Sequence, residues 1–125
     1  MQRKILLIDD SEVSLHFTSR VLGRAGFEVR TTHDINDLQS VLGGWRPDVI
    51  LTDVDMPGVT GIELCRILKS SYETAHVPVV LFSSVPSPEL ENLARECEAD
   101  GFLSKSNGLD GLPEELELLI ESALF

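Results

Sequence analysis

The 125-residue chain predicts a single α/β domain over residues 1–125, a three-layer sandwich with helices on both faces of a parallel five-stranded sheet. Three observations carry that prediction. The apolar runs Ile5-Leu6-Leu7-Ile8, Val49-Ile50-Leu51 and Val79-Val80-Leu81-Phe82 are too short for helices, and they are apolar on both sides of the pleat, as doubly buried strands are. Between them lie segments whose apolar residues recur three and four apart. Glycines, prolines and capping residues mark the junctions, so strands and helices alternate along the chain.

Residues 4–8 form the first strand. Ser11 caps a helix whose apolar face is read as Val13, Phe17, Val21 and Leu22, with Gly26 just beyond its end. Residues 27–32 make a short second strand. Asp34 caps a helix through Ile35, Leu38 and Leu42, stopped by Gly43-Gly44. Residues 48–52 are the third strand, and 61–70 a helix with Ile62, Leu64, Cys65 and Leu68 turned inward. The fourth strand, 77–82, has Pro78 near its start, where a missing N–H costs least. Ser87 caps the next helix, with Pro88 at its first position, Glu89 in its first turn and a stripe of Leu90, Leu93, Ala94 and Cys97. Residues 101–103 give a brief fifth strand. The last helix begins near Pro113 with the stripe Leu112, Leu116, Leu119, Ile120 and Ala123. Trp45, in Gly-Gly-Trp-Arg-Pro, reads as a packed loop anchor.

Composition narrows the function. Hydrophobic residues at 42% and charged residues at 25% describe a globular chain. A formal net charge of −11 argues against a direct nucleic-acid or anionic-membrane surface, because phosphate contacts need Lys and Arg. It leaves two readings open, solubility or an acidic face for a basic partner. Cys65 and Cys97 fall on apolar stripes and are read as buried free thiols; two cysteines without companions make no zinc site. His16, His33 and His76 show no ligand spacing. The start Met1-Gln2-Arg3-Lys4 is no signal peptide and no apolar run suits a membrane span, so a cytoplasmic location is expected.

Chemistry concentrates where strands end. The first strand ends in Asp9-Asp10 and the third in Asp53, ahead of the breaker segment Asp55-Met56-Pro57-Gly58. Ser83 and Ser84 follow the fourth strand, and Lys105 follows the fifth. The C-terminal ends of parallel strands line one edge of a sheet, where ligands bind. Carboxylates converging there repel one another unless a cation neutralises them, and hard oxygen donors suit Mg²⁺. Carboxylates, a hydroxyl and an ammonium in one place suit phosphoryl transfer, with Asp53 as the attacking oxygen.

The segment from Pro47 through Asp53 to Gly58, with Gly61 after it, resembles the phosphoacceptor segment of two-component response-regulator receiver domains, the CheY-like superfamily. So do the Asp9-Asp10 pair, the run from Val77 to Ser84, and Ala99-Asp100-Gly101-Phe102-Leu103-Ser104-Lys105. The resemblance covers essentially the whole chain. It implies a flavodoxin-like fold with strand order 2-1-3-4-5, and a module that is not an enzyme but accepts a phosphoryl group on Asp53 from a sensor histidine kinase or histidine phosphotransfer protein. It further implies Mg²⁺ (or Mn²⁺) held by Asp10 and Asp53 with the backbone carbonyl of Asp55, with Asp9 assisting through water. Ser83 matches the switch hydroxyl, Lys105 the phosphate-pairing cation and Phe102 the aromatic switch; Met56 and Ser84 neighbour the reacting group. The output, to an unknown partner protein or an attached domain, would leave through the fourth helix, fifth strand and fifth helix, from a monomer or an activation-dependent dimer.

Four positions depart from the family's commonest form. Ser106 stands where a proline, often cis, usually follows the lysine, which leaves the Lys105–Ser106 bond open between cis and trans. Phe102 lacks the hydroxyl of the usual Tyr, Ser84 replaces Ala or Gly, and Asp55 adds a carboxylate that either helps bind metal or discourages an attacking water. Two other readings compete. Asp53-Val54-Asp55 also has the Asp-x-Asp spacing of a haloacid-dehalogenase-like phosphatase, and some receivers act as interaction modules without phosphorylation.

Overall fold

Residues 2–71 and 74–124 are described by the computed structural model. Five parallel strands among them stand in the order β2-β1-β3-β4-β5: β1 (Lys4–Ile8), β2 (Glu28–Thr32), β3 (Val49–Thr52), β4 (Val79–Ser83) and β5 (Gly101–Ser104). The helices are α1 (Glu12–Arg24), α2 (Leu38–Leu42, entered through a 3₁₀ turn Ile35–Asp37), α3 (Gly61–Ser70), α4 (Ser87–Cys97) and α5 (Leu112–Leu119, leaving through a π turn Ile120–Leu124). This is the flavodoxin-like arrangement. Its strand order reverses between β1 and β3, which opens a crevice at their C-terminal ends.

The pleat explains the apolar runs. Leu6, Ile8, Ile50, Val79 and Leu81 point to one face, where α2, α3 and α4 supply Leu38, Leu42, Leu64, Cys65, Leu68, Leu90, Ala94 and Cys97. Ile5, Leu7, Val49, Leu51, Val80 and Phe82 point to the other, against Leu15 and Leu22 of α1 and Leu112, Leu116 and Ile120 at the end of the chain. A strand covered on both faces has no polar side to show.

Two aspartates outside the helices fasten the sheet at its N-terminal edge. Asp48, just before β3, accepts the N–H of Lys4 at 2.8 Å. Asp100, just before β5, accepts the N–H of Val79 at 2.8 Å and pairs with Lys69 at 2.9 Å. Each takes the first free donor of the neighbouring strand. Trp45 anchors its loop as expected: its ring N–H donates to the Glu28 carboxylate, and Arg30 stacks over the ring at 4.8 Å while donating to the last carbonyls of α2, Val41 and Leu42. Cys65 and Cys97 are free and buried side by side between α3 and α4. Burial pushes the Cys65 thiol up to about 12.

Some sequence expectations are corrected. In α1 the buried face is Leu15, Thr18 and Leu22, whereas Val13 and Phe17 are 66% and 51% exposed. The fourth strand begins two residues later than Val77 and keeps Ser83. Pro86, not Ser87, stands at the cap of α4, and Ser87 is its first helical residue. The fifth strand includes Ser104. The side chain of Ala123 lies outside the described residues.

Candidate functional site

Strand hydrogen bonding delivers the acids to the crevice. The ladder runs one residue past each strand: the N–H of Asp9 donates to Thr32 at 3.2 Å, and that of Asp53 to Ile8 at 2.9 Å. The two carboxylates therefore leave adjacent strand ends at the same level. Asp9, Asp10 and Asp53 each bring a carboxylate oxygen within 4.8 Å of the others. Asp9 is 1% exposed, whereas Asp10 opens to solvent.

Both Asp53 and Asp9 are held by hydrogen bonds. Asp53 Oδ1 accepts the N–H of Val54 at 2.7 Å and of Asp55 at 3.3 Å, which leaves Oδ2 toward Lys105 Nζ at 3.2 Å. Asp9 Oδ1 accepts the N–H of Ser11 at 3.0 Å, and its Oδ2 takes the Ser14 hydroxyl at 2.8 Å and Lys105 Nζ at 2.6 Å. The Lys105 ammonium also lies 5.4 Å from the Phe82 ring centroid. The Lys105–Ser106 bond is trans, and Lys105 opens a 3₁₀ turn whose N-terminus Ser104 caps through the N–H of Ser106.

Charge sets the protonation preferences. Burial lifts the Asp53 carboxyl above its ordinary value; Lys105 and the Asp55 N–H oppose that, and Asp9 adds to it. Burial also pushes on Asp9, but Lys105, the Ser11 N–H and the Ser14 hydroxyl outweigh it and hold Asp9 below the ordinary range. For Lys105, desolvation is overcome by the two aspartates, so its ammonium is held more firmly than usual.

The remaining predicted residues sit around this core. Ser83 ends β4, buried, and its Oγ accepts the N–H of Val85 at 3.2 Å, so its hydroxyl is engaged with its own loop. Ser84 is exposed beside it. Asp55 is exposed and contributes its N–H to Asp53, while its carboxylate stands outside the cluster of Asp9, Asp10 and Asp53. Met56 is half-buried in a bridge with Val59. Phe102 is half-buried against the α3–α4 side of the core. Ser14 was not among the predicted residues, although its place one helical turn past the Asp9-Asp10 pair was a signal for it. A wide hollow of 610 Å³ lies at the opposite edge of the sheet, lined by Gln2, Arg3, Phe27, Asp48 and Glu117, far from these acids.

Residues 5–117 match the family described as the response regulator receiver domain. The chain belongs to that family. This receiver domain, a signalling domain of two-component response regulators, is 32% identical over 102 residues to the protein RcaC of Microchaete diplosiphon, covering 82% of this chain and 16% of RcaC. It is 34% identical over 105 residues to the response regulator PleD of Caulobacter vibrioides, covering 84% of this chain and 23% of PleD. The chain thus spans less than a quarter of the length of either relative. Its fold superposes on the chemotaxis response regulator CheY4 of Vibrio cholerae with a TM-score of 0.81 at 28% identity, covering 95% of this chain and 99% of that one. The Asp-x-Asp spacing at Asp53 is therefore the loop of a receiver and not that of a phosphatase. No helix among the described residues is long and apolar enough to cross a membrane.

Proposed function

We propose that Asp53 accepts a phosphoryl group and that this single receiver domain relays the event as a conformational signal, in the cytoplasm, as a module that turns over no substrate of its own. The observation that carries the reading is the arrangement of the Asp53 carboxylate: two backbone N–H groups fix Oδ1, and Oδ2 stands beside Lys105 at the mouth of the crevice. An oxygen held in one orientation next to a cation is placed for attack, and positioning with charge neutralisation is most of what phosphoryl transfer asks of a protein.

Three clustered carboxylates with one exposed member fit a hard divalent cation, so Asp10 and Asp53 would hold Mg²⁺ (or Mn²⁺), with Asp9 behind them and Asp55 nearby. Bound there, the ion would neutralise charge on the transferring group. Asp53 Oδ2 attacks phosphorus of a phosphohistidine on a sensor kinase or phosphotransfer protein; the P–N bond breaks, and its electrons return to the imidazole. Lys105 follows the new negative charge. Ser83 accepts the Val85 N–H through Oγ and can turn its own O–H to donate to a phosphoryl oxygen, and Phe102 can then repack between α4 and β5, which carries the change to the α4–β5–α5 face. Val13 and Phe17, exposed on α1 near Asp10, offer the phosphodonor an apolar foothold. Leu118, 65% exposed on α5, offers one to an output partner or a second copy.

Beryllofluoride with Mg²⁺, or a small phosphodonor, tests the reading. Fluorine NMR and intact mass are expected to report occupancy or an adduct on the wild type and none on Asp53→Asn. A wild type that takes neither would return the domain to a phosphorylation-independent role.

A further inference from the structure

The geometry points to Ser14 as a positioning residue for phosphoryl transfer: its hydroxyl keeps the buried Asp9 carboxylate in place when Lys105 leaves it for the phosphoryl group. This inference rests on the reading of Asp53 as the acceptor.

The start of α1 shows why Ser14 is there. Ser11 caps the helix and accepts the N–H of Ser14 at 3.2 Å, so Ser14 occupies the third helical position. In a capping box that position holds Glu or Gln, whose side chain returns to the N–H of the cap residue. Here that N–H is already taken, by Asp9 Oδ1 at 3.0 Å. The third residue is thereby free of capping duty. Its side chain turns instead to Asp9 Oδ2 at 2.8 Å. Asp9 has replaced the glutamate of a capping box, and Ser14 has been recruited to Asp9.

The allocation of Lys105 gives that contact a purpose. Its ammonium is closer to Asp9, at 2.6 Å, than to Asp53, at 3.2 Å. Charge arriving on Asp53 draws the ammonium toward that side. With Lys105 in place Asp9 is 1% exposed, so a fixed donor is what holds its orientation when the ammonium moves. The Ser14 hydroxyl and the Ser11 N–H remain, one donor on each oxygen. Without Ser14, Lys105 would be the only side-chain donor to Oδ2 among the described residues, and releasing it would leave that oxygen with no side chain to fix its direction.

The test is beryllofluoride affinity at saturating Mg²⁺, followed by fluorine NMR titration, for wild type, Ser14→Ala and Ser14→Thr, with thermal unfolding of each protein alone. Ser14→Ala is expected to bind about tenfold more weakly. Ser14→Thr keeps a hydroxyl and is expected to stay within about twofold of wild type. A helix-start role alone would move the unfolding midpoint and leave affinity untouched. Equal affinity in Ser14→Ala, or equal weakening in both variants, overturns the inference. A wild type that binds no beryllofluoride overturns the acceptor reading itself, and is a separate result.

Discussion

Lys105 divides one positive charge between two buried acids, and most of the stabilisation belongs to Asp9. Its ammonium is 21% exposed at the side chain and Asp9 only 2%, so the pair is little screened. Removing the cation leaves Asp9 with an uncompensated buried charge. Lys105→Ala is expected to cost about 3 kcal/mol in urea unfolding at pH 7. The pH dependence has a definite sign. Asp9 sits below its ordinary value, so its contribution is present above the unfolded carboxylate range and is lost as pH falls through the lower folded value. Lys105 is raised, so its contribution is complete below the unfolded lysine value and is lost as pH rises through the folded one. The wild type and Lys105→Ala should therefore converge in stability toward acid pH, and parallel curves down to the acid limit would contradict the pairing.

Elements are held by groups that belong to none of them. Asp48 and Asp100 precede β3 and β5, yet each closes the start of the strand next door. Asp100→Ala leaves the Val79 N–H without its acceptor and is expected to cost about 1–2 kcal/mol, measured as a shift in the urea midpoint at unchanged slope; no shift would mean water serves that donor equally well. The central strands were legible from sequence because burial on both faces leaves a plain signature. The rotation of α1 was not. Val13 and Phe17 are the more conspicuous hydrophobes, but Leu15, Thr18 and Leu22 form the face packed on the sheet, which leaves positions 13 and 17 outward. Thr18 is buried in their place. A polar residue in the middle of the buried stripe hid it from a reading that counts hydrophobes. Asp9, Asp10, Asp53 and Lys105 were legible because strand ends in a parallel sheet must share an edge. The turning of Ser83 to Val85 was not, since one rotamer decides it.

At the scale of the whole molecule, excess negative charge works against compaction. A net charge of −11 on 125 residues repels itself more in the folded chain than in the extended one. Raising NaCl from about 0.05 to about 0.5 M shortens the screening length several-fold and should raise the calorimetric unfolding midpoint by several degrees. Chelator in the buffer keeps divalent cations from contributing. A flat midpoint would mean that local pairs such as Lys69–Asp100 and Arg95–Glu91, which salt weakens, offset the relief.

The paired thiols between α3 and α4 give the fold an internal reporter. With burial pushing the Cys65 thiol up to about 12, it stays protonated and unreactive at neutral pH. An alkylating reagent meets a reactive sulfur there only in the instants when the two helices part. Slow covalent tagging of that cysteine, on α3, would count those partings directly, from the helix that packs against α4, where the proposed signal would leave.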